Sequence, residues 1–303
     1  MAQSIRNKPH PALAGIQRLI RNHRQCLRRT GAVVSQSGGL TLPTGWLSGH
    51  SDFGPPLQDK PCNQDRLVLW RSRRKAAAPI DWVIVLADGV TSSYHSEFAA
   101  GLACWSALRA LVDSARQARG NAGMDAVNAA AATLRTAGVV YRRQGADWHP
   151  PDEFSSTWKH RLASGAFLQT TLTLAWCRDA RCHLVRIGDG GATLYQSGSS
   201  RVLLPVNADT QLVHALGPDT PPLIEIDDEL SLTLHGDSVL AVYTDGIARH
   251  MQSDPDSMVN MLRRSDVIER NCATASEIID SLKQSDEESL HDNLTLAIKT
   301  TCF

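Results

Sequence analysis

The run Trp82-Val83-Ile84-Val85-Leu86-Ala87 ends abruptly in Asp88-Gly89. Six consecutive apolar residues, rich in Val and Ile, predict a strand buried on both faces, so the chain must supply a layer on each side of it. A carboxylate at the mouth of such a strand is held where the backbone moves least, which suits a metal ligand. Read alone, Asp-Gly is more readily a turn, because both residues tolerate positive φ.

The pattern recurs. Cys182 to Gly188 leads into Asp189-Gly190, and Ser238 to Thr244 leads into Asp245-Gly246. Asp65 precedes the strand-like run Leu67–Trp70, and Asp292-Asn293 precedes Leu294–Ile298. Five carboxylates thus stand at the edges of five predicted core strands, and strand edges from distant parts of a chain can meet on one rim. Hard oxygen donors gathered in this way suit Mg²⁺ or Mn²⁺ rather than Zn²⁺. Each of the five also has a plain structural reading as a turn or strand-edge residue.

A chain of 303 residues, 42% hydrophobic, supports one large domain or a domain with an extension. No apolar run reaches the roughly 20 residues needed to span a bilayer. The seven cysteines are odd in number and show no zinc-ligand spacing. With no secretory pattern at the start, they predict a reducing, cytoplasmic setting. Residues 1–50 hold seven basic residues and no acidic one, leaving 24 basic against 31 acidic residues in the remainder, a net charge of −7. That acidic body fits a carboxylate-rich cation site and argues against a dedicated nucleic-acid binder.

Leu13, Ile16, Ile20 and Leu27 recur among arginines over residues 10–29, a helical pattern with a basic face. It reads as a partner-docking helix, a membrane-surface or nucleic-acid patch, an organelle transit segment, or an extension that merely packs on the domain. Gly38, Gly39, Pro43 and Gly45 predict a linker or turn, placing a basic extension at 1–40 and the domain at 41–303. Amphipathic patterns predict helices at about 96–116 and 124–142, the latter weakened by Gly138, and further helices near 256–264 and 275–284. Strands are expected at 167–177, 181–187, 191–195, 201–205, 223–226, 231–234, 238–243 and 293–300. This order predicts an α+β architecture of two stacked sheets with helices outside.

Ser51-Asp52-Phe53-Gly54, Asn63-Gln64-Asp65, Ala87-Asp88-Gly89, Thr170-Thr171-Leu172, Gly188-Asp189, Thr244-Asp245-Gly246 and Asp292-Asn293-Leu294-Thr295 form an ordered set. Together they resemble the metal-dependent serine/threonine phosphatases of the protein phosphatase 2C-like family, particularly its bacterial branch, over residues ~45–300. The resemblance implies a four-layer α-β-β-α sandwich with two antiparallel sheets. It implies that Asp88 bridges two Mn²⁺ or Mg²⁺ ions with the Gly89 carbonyl as a further ligand. Asp65 is implied at the first metal, Asp245 and Asp292 at the second, and Asp189 with Asp245 at a weaker third. The implied reaction is hydrolysis of phosphoserine or phosphothreonine by metal-activated water, with a phosphoprotein and a cognate kinase as partners.

The chain departs from the family pattern in places. Lys60 stands where Arg usually grips the phosphate, giving charge without a bidentate fork. Gln64 replaces a Glu, Gln169 a Gly, and Thr91-Ser92-Ser93 a Gly-Gly pair. His95 is a candidate proton donor or a surface residue at a helix start. Lys60 and Gln64 keep open a pseudophosphatase, a binding module without turnover. A phosphomonoesterase acting on non-protein substrates is a third reading.

Overall fold

The computed structural model describes residues 10–42, 45–52, 63–73, 79–117, 121–145, 166–196, 199–206, 214–236, 238–248, 275–285 and 293–301. Its elements are α1 (Ala12–Arg28), β1 (Gly31–Ser35), β2 (Ser37–Leu42), β3 (Gly45–Asp52), β4 (Arg66–Ser72), β5 (Trp82–Ala87), α2 (Ser96–Arg116), α3 (Ala122–Gln144), β6 (Leu172–Arg178), β7 (Arg181–Ile187), β8 (Gly191–Gln196), β9 (Ser199–Leu204), β10 (Asp228–Thr233), β11 (Val239–Tyr243), α4 (Ala275–Ser285) and β12 (Leu294–Thr301). Two antiparallel six-stranded sheets result, one ordered β1-β4-β5-β6-β7-β10 and the other β2-β3-β12-β11-β8-β9.

The pleat sorts side chains between layers, because successive residues point to opposite faces. On β4 and β5, Leu67, Leu69, Trp82, Ile84 and Leu86 enter the layer between the sheets. Val68, Trp70, Val83 and Val85 enter the layer under α1, α2 and α3. On the far side, Ile278, Ile279 and Leu282 of α4 cover Tyr243, Leu294, Leu296 and Ile298. The architecture is therefore the expected α-β-β-α sandwich. The unbroken apolar run of β5 follows from its central place, since all six residues are buried.

Some elements differ from the sequence reading. The basic segment expected outside the domain supplies α1 to the helical layer, β1 to the edge of one sheet and β2 to the other, and β2 runs through residue 40. Leu13, Ile16 and Leu27 are buried in the helix-side core. Each such side chain stabilises the docked helix by roughly 1.5–3 kcal/mol. Among the glycines read as a linker or turn, Gly39 is a packing position, where a Cβ would stand 2.7 Å from the Trp46 ring, and Gly38 and Gly45 take positive φ. Gly138 does not end α3; it admits Pro218, whose Cβ would lie 2.4 Å from a Cβ placed there.

The strand expected at 167–177 begins at Leu172, because Leu168 has φ 51 and turns the extended run aside. The strand expected at 223–226 forms no ladder. Its Ile224 and Ile226 pack on the helix-side core, and the strand proper is β10. The helix expected near 256–264 lies outside the described residues.

Candidate active site

The layer between the sheets changes character within one step of the pleat. Beyond Leu67 the next inward position is Asp65; beyond Leu86 it is Asp88; beyond Thr173, Thr171. On the facing sheet, Val242 gives way to Thr244 and Ala297 to Thr295, with Ser51 beside Thr295 in register. Leucines thus yield to carboxylates and hydroxyls along one rim of the sandwich. A buried polar group away from water needs hydrogen-bond partners, and this rim supplies them from its own row.

Asp65 is fully buried and ties the sheets together. Its Oδ2 accepts hydrogen bonds from Thr295 Oγ1 at 2.7 Å and Thr244 Oγ1 at 2.9 Å. Asn63 Nδ2 donates to Ser51 Oγ at 2.9 Å, and Ser51 Oγ lies 2.8 Å from Thr295 Oγ1. A hydroxyl has one proton; with Thr295 donating to Asp65, Ser51 donates to Thr295. The chain of donors runs Asn63, Ser51, Thr295, Asp65, and ends on an acceptor that suits an ionised carboxylate. The Asn63-Gln64-Asp65 motif is thereby explained, since Asn63 Oδ1 also accepts from the Asp65 N–H at 2.9 Å. Gln36 adds a clamp that the sequence does not advertise. Its Oε1 accepts from Leu67 N at 3.0 Å and its Nε2 donates to the Asp65 carbonyl at 3.3 Å.

Asp88 sits where β5 leaves its sheet. Its carbonyl accepts from Thr171 N at 2.8 Å and Thr170 Oγ1 at 2.7 Å, while its N–H donates to Thr171 Oγ1 at 3.1 Å. The Thr170-Thr171 pair therefore fixes the backbone from which the Asp88 carboxylate projects. Gly89 is pressed against the start of α2, and a Cβ there would stand 2.8 Å from Ser96 Cβ.

Asp189 lies in the link from β7 to β8, which crosses from one sheet to the other. Gly188 N donates to Asp227 Oδ2 at 2.6 Å, and Arg186 Nη1 donates to the Gly190 carbonyl at 2.9 Å. The residue on each side of Asp189 is thus pinned. Arg186 also forks onto Asp228 and reaches the Pro205 carbonyl at 2.7 Å. Asp245 opens a helical turn at 245–248, with Thr244 N donating to the Thr295 carbonyl at 3.1 Å. A carboxylate there complements the partial positive charge of the turn's N-terminus.

Asp65, Asp88, Gly89, Asp189 and Asp245 all fall on this rim, by strand register. Lys60 and Asp292 lie outside the described residues. Among the described residues no three His, Cys, Asp or Glu side chains converge closely enough to enclose a metal ion by themselves. The donor set is nonetheless hard oxygen throughout, from both sheets, and of the kind that Mg²⁺ and Mn²⁺ take.

His95 is not a surface residue at a helix start. It precedes α2 with φ 55, is half-buried, and its Nδ1 lies 2.7 Å from Tyr141 Oη. Burial pushes its imidazole down to about 4, so it is neutral at pH 7. His10 stacks on Tyr141 with ring centroids 3.7 Å apart, and burial with the neighbouring His95 pushes it to about 4 as well. Of the four cysteines described, Cys104, Cys177 and Cys182 are buried in the core and Cys26 is partly buried; burial raises the Cys177 thiol to about 12.

Residues 57–295 match the family model for protein phosphatase 2C. A sequence comparison with curated proteins gives no match. Among solved structures, the chain is similar to the catalytic domain of the serine/threonine protein phosphatase PstP in complex with two manganese ions. Identity is 18% over 90% of this chain and 100% of that one, with a TM-score of 0.54. PppA, a regulatory component of T6SS in Pseudomonas aeruginosa, matches at 16% identity over 88% and 100% of the two chains, TM-score 0.54. Serine/threonine phosphatase Stp1 from Staphylococcus aureus matches at 15% over 86% and 96%, TM-score 0.54. These likenesses concern the fold, and they agree with the two-sheet sandwich described above. With the family model matching well over half of the chain, from before β4 to the start of β12, the chain belongs to the protein phosphatase 2C family.

Proposed function

We propose that the chain hydrolyses phosphoserine and phosphothreonine in proteins with a binuclear Mn²⁺ or Mg²⁺ centre on the rim between its sheets. The observation that carries this reading is the replacement of inward leucines by Asp65 and Asp88 at one end of the inter-sheet layer, with Asp189 and Asp245 on the same rim. Asp88 and the Gly89 carbonyl, with Asp65, Asp245 and Asp292, would hold the two ions, and Asp189 with Asp245 a weaker third. Two divalent cations, when bound, supply a water of lowered pKa and positive charge against the phosphate.

The protein's own groups do the rest. Thr244 and Thr295 fix the Asp65 carboxylate as an acceptor between the sheets. Thr170 and Thr171 hold Asp88 at the end of β5. Lys60 would attract the phosphate as a point charge, without the fork an arginine offers. His95 is engaged by Tyr141 Oη at 2.7 Å and burial lowers its imidazole, which weighs against it as the proton donor to the leaving oxygen. The implied partners are a phosphoprotein and the kinase that modifies it. No helix among the described residues is long and apolar enough to cross a membrane.

A second reading, a pseudophosphatase that binds a phosphoprotein without turnover, is favoured by buried Gln64 in place of a carboxylate. Hydrolysis of an aryl phosphate with and without Mn²⁺ separates the two. The enzyme reading expects metal-dependent turnover, lowered about a thousandfold in Asp88→Asn and in Asp245→Asn. Well-folded protein that turns over neither the aryl phosphate nor any of a panel of phosphopeptides, at any Mn²⁺ or Mg²⁺ concentration, is the pseudophosphatase.

A further inference from the structure

We propose that the exposed face of α1 is a docking surface for an acidic segment of a protein partner. The helix has 17 residues and no Asp or Glu, and it carries Arg18, Arg21, Arg24 and Arg28, with Arg29 as its cap. All five arginines are exposed on one side, and Gln17, Asn22 and Gln25 are the polar residues between them. The opposite side is fixed: Ala12, Leu13, Ile16 and Leu27 are buried, and Ile20 meets Gly101 of α2. The arginines therefore ride on a docked platform rather than on a loose tail.

Among the described residues no carboxylate balances this stripe. Like charges three and four residues apart on a helix repel, and opposite charges placed there would have stabilised it. Among the described residues none of the five is ion-paired. Asp113 of α2 is engaged by Arg109 at 3.6 Å and by Arg116 at 3.8 Å, not by α1. Arg109 comes close enough to α1 to help lower the His23 imidazole, after burial. Arg24, set over the Trp105 ring at 5.8 Å, has its own guanidinium lowered by burial and by Arg28. The helix tolerates this repulsion, as a surface kept for an anionic partner would.

The chemistry of the partner follows from the shape of the patch. Planar guanidinium forks match carboxylates, whereas lysines would offer only point charges. From Arg18 to Arg29 the stripe runs about 17 Å at 1.5 Å per residue. That is the length of five or six residues of extended chain. Insertion into a membrane surface needs a free apolar face. Here that face is spent on the core, and Leu19 is the exposed large apolar residue left on the helix. A nucleic-acid duplex carries one charge per roughly 1.7 Å and extends past the patch, which would set its phosphates against the acidic body. A short acidic peptide avoids that conflict.

The test is fluorescence anisotropy of a labelled peptide with six consecutive glutamates, using the full chain without added metal at low ionic strength. The wild type should bind, with affinity falling as salt rises. Arg21→Gln, Arg24→Gln and Arg28→Gln together should weaken binding about tenfold or more. The substituted side chains are exposed, so thermal unfolding and aryl phosphate hydrolysis should stay at wild-type values. Three results would overturn the proposal: no peptide binding by the wild type, equal binding by the triple variant, or tighter arginine-dependent binding to duplex DNA or to phosphatidylcholine–phosphatidylserine vesicles than to the peptide.

Discussion

The two faces of one sheet treat buried polar groups in opposite ways. On the inter-sheet face, Asp65 is fully buried and receives two hydroxyl protons from the facing sheet. On the helix face, buried His10 and half-buried His95 meet Tyr141 and are pushed to their neutral forms, each down to about 4. The first arrangement favours charge and the second expels it. Negative charge is kept at the rim, where cations and a phosphate would enter. Positive charge is removed where the N-terminal end of α1 must stay packed against α2 and α3.

That contrast can be broken from the rim side first. Replacing Thr244 and Thr295 with valine keeps their shape and removes both donors to Asp65. Groups that orient metal ligands typically account for 10–100-fold in metal affinity or activity. We expect a Mn²⁺ affinity loss in that range by calorimetry, in protein that still unfolds cooperatively. Unchanged affinity would mean that the hydroxyl row is structural only.

The helix face is sharpened by Gly145→Ala. Gly145 follows α3 with φ −94, so alanine meets no backbone strain there, yet its Cβ would stand 2.1 Å from His10 Nε2. Overpacking of this kind destabilises by about 1–3 kcal/mol, read by urea unfolding, and should leave Mn²⁺ affinity at wild type.

Acid gives the smaller effect. Both histidines bind protons less well in the folded chain than at the ordinary 6.5, so the unfolded chain takes up more protons between about pH 6.5 and pH 4. Stability contributed by their burial is therefore lost as pH falls through that window. The melting temperature should drop there, and His10→Gln with His95→Gln should flatten the dependence. Tyr141→Phe, which removes the bond to His95, should cost about 1 kcal/mol.

The rim is legible in the sequence because it follows a simple rule: a carboxylate at either end of an apolar run marks the end of a buried strand. Asp65, Asp88, Asp189 and Asp245 are all visible in this way. What holds them is not. Thr244, Thr295 and Ser51 stand in the quoted motifs, but their role depends on register between two sheets, which no local pattern encodes. Gln36 carries no signal at all, since its value lies in a turn with φ 69 beside β4. The place of the N-terminal segment is hidden for a related reason. Its glycines resemble a linker in sequence, and only the position of Trp46 reveals Gly39 as a close-packed strand residue. His95 likewise acquires its buried setting from Tyr141, 46 residues away.

The most direct measurement is a Mn²⁺ titration of the full chain, followed by calorimetry and by electron paramagnetic resonance. A binuclear rim site predicts at least two ions bound, with spectra showing coupling between neighbouring ions, and loss of that coupling in Asp88→Asn. Binding of no ion, or of isolated ions unaffected by Asp88→Asn, would contradict the account.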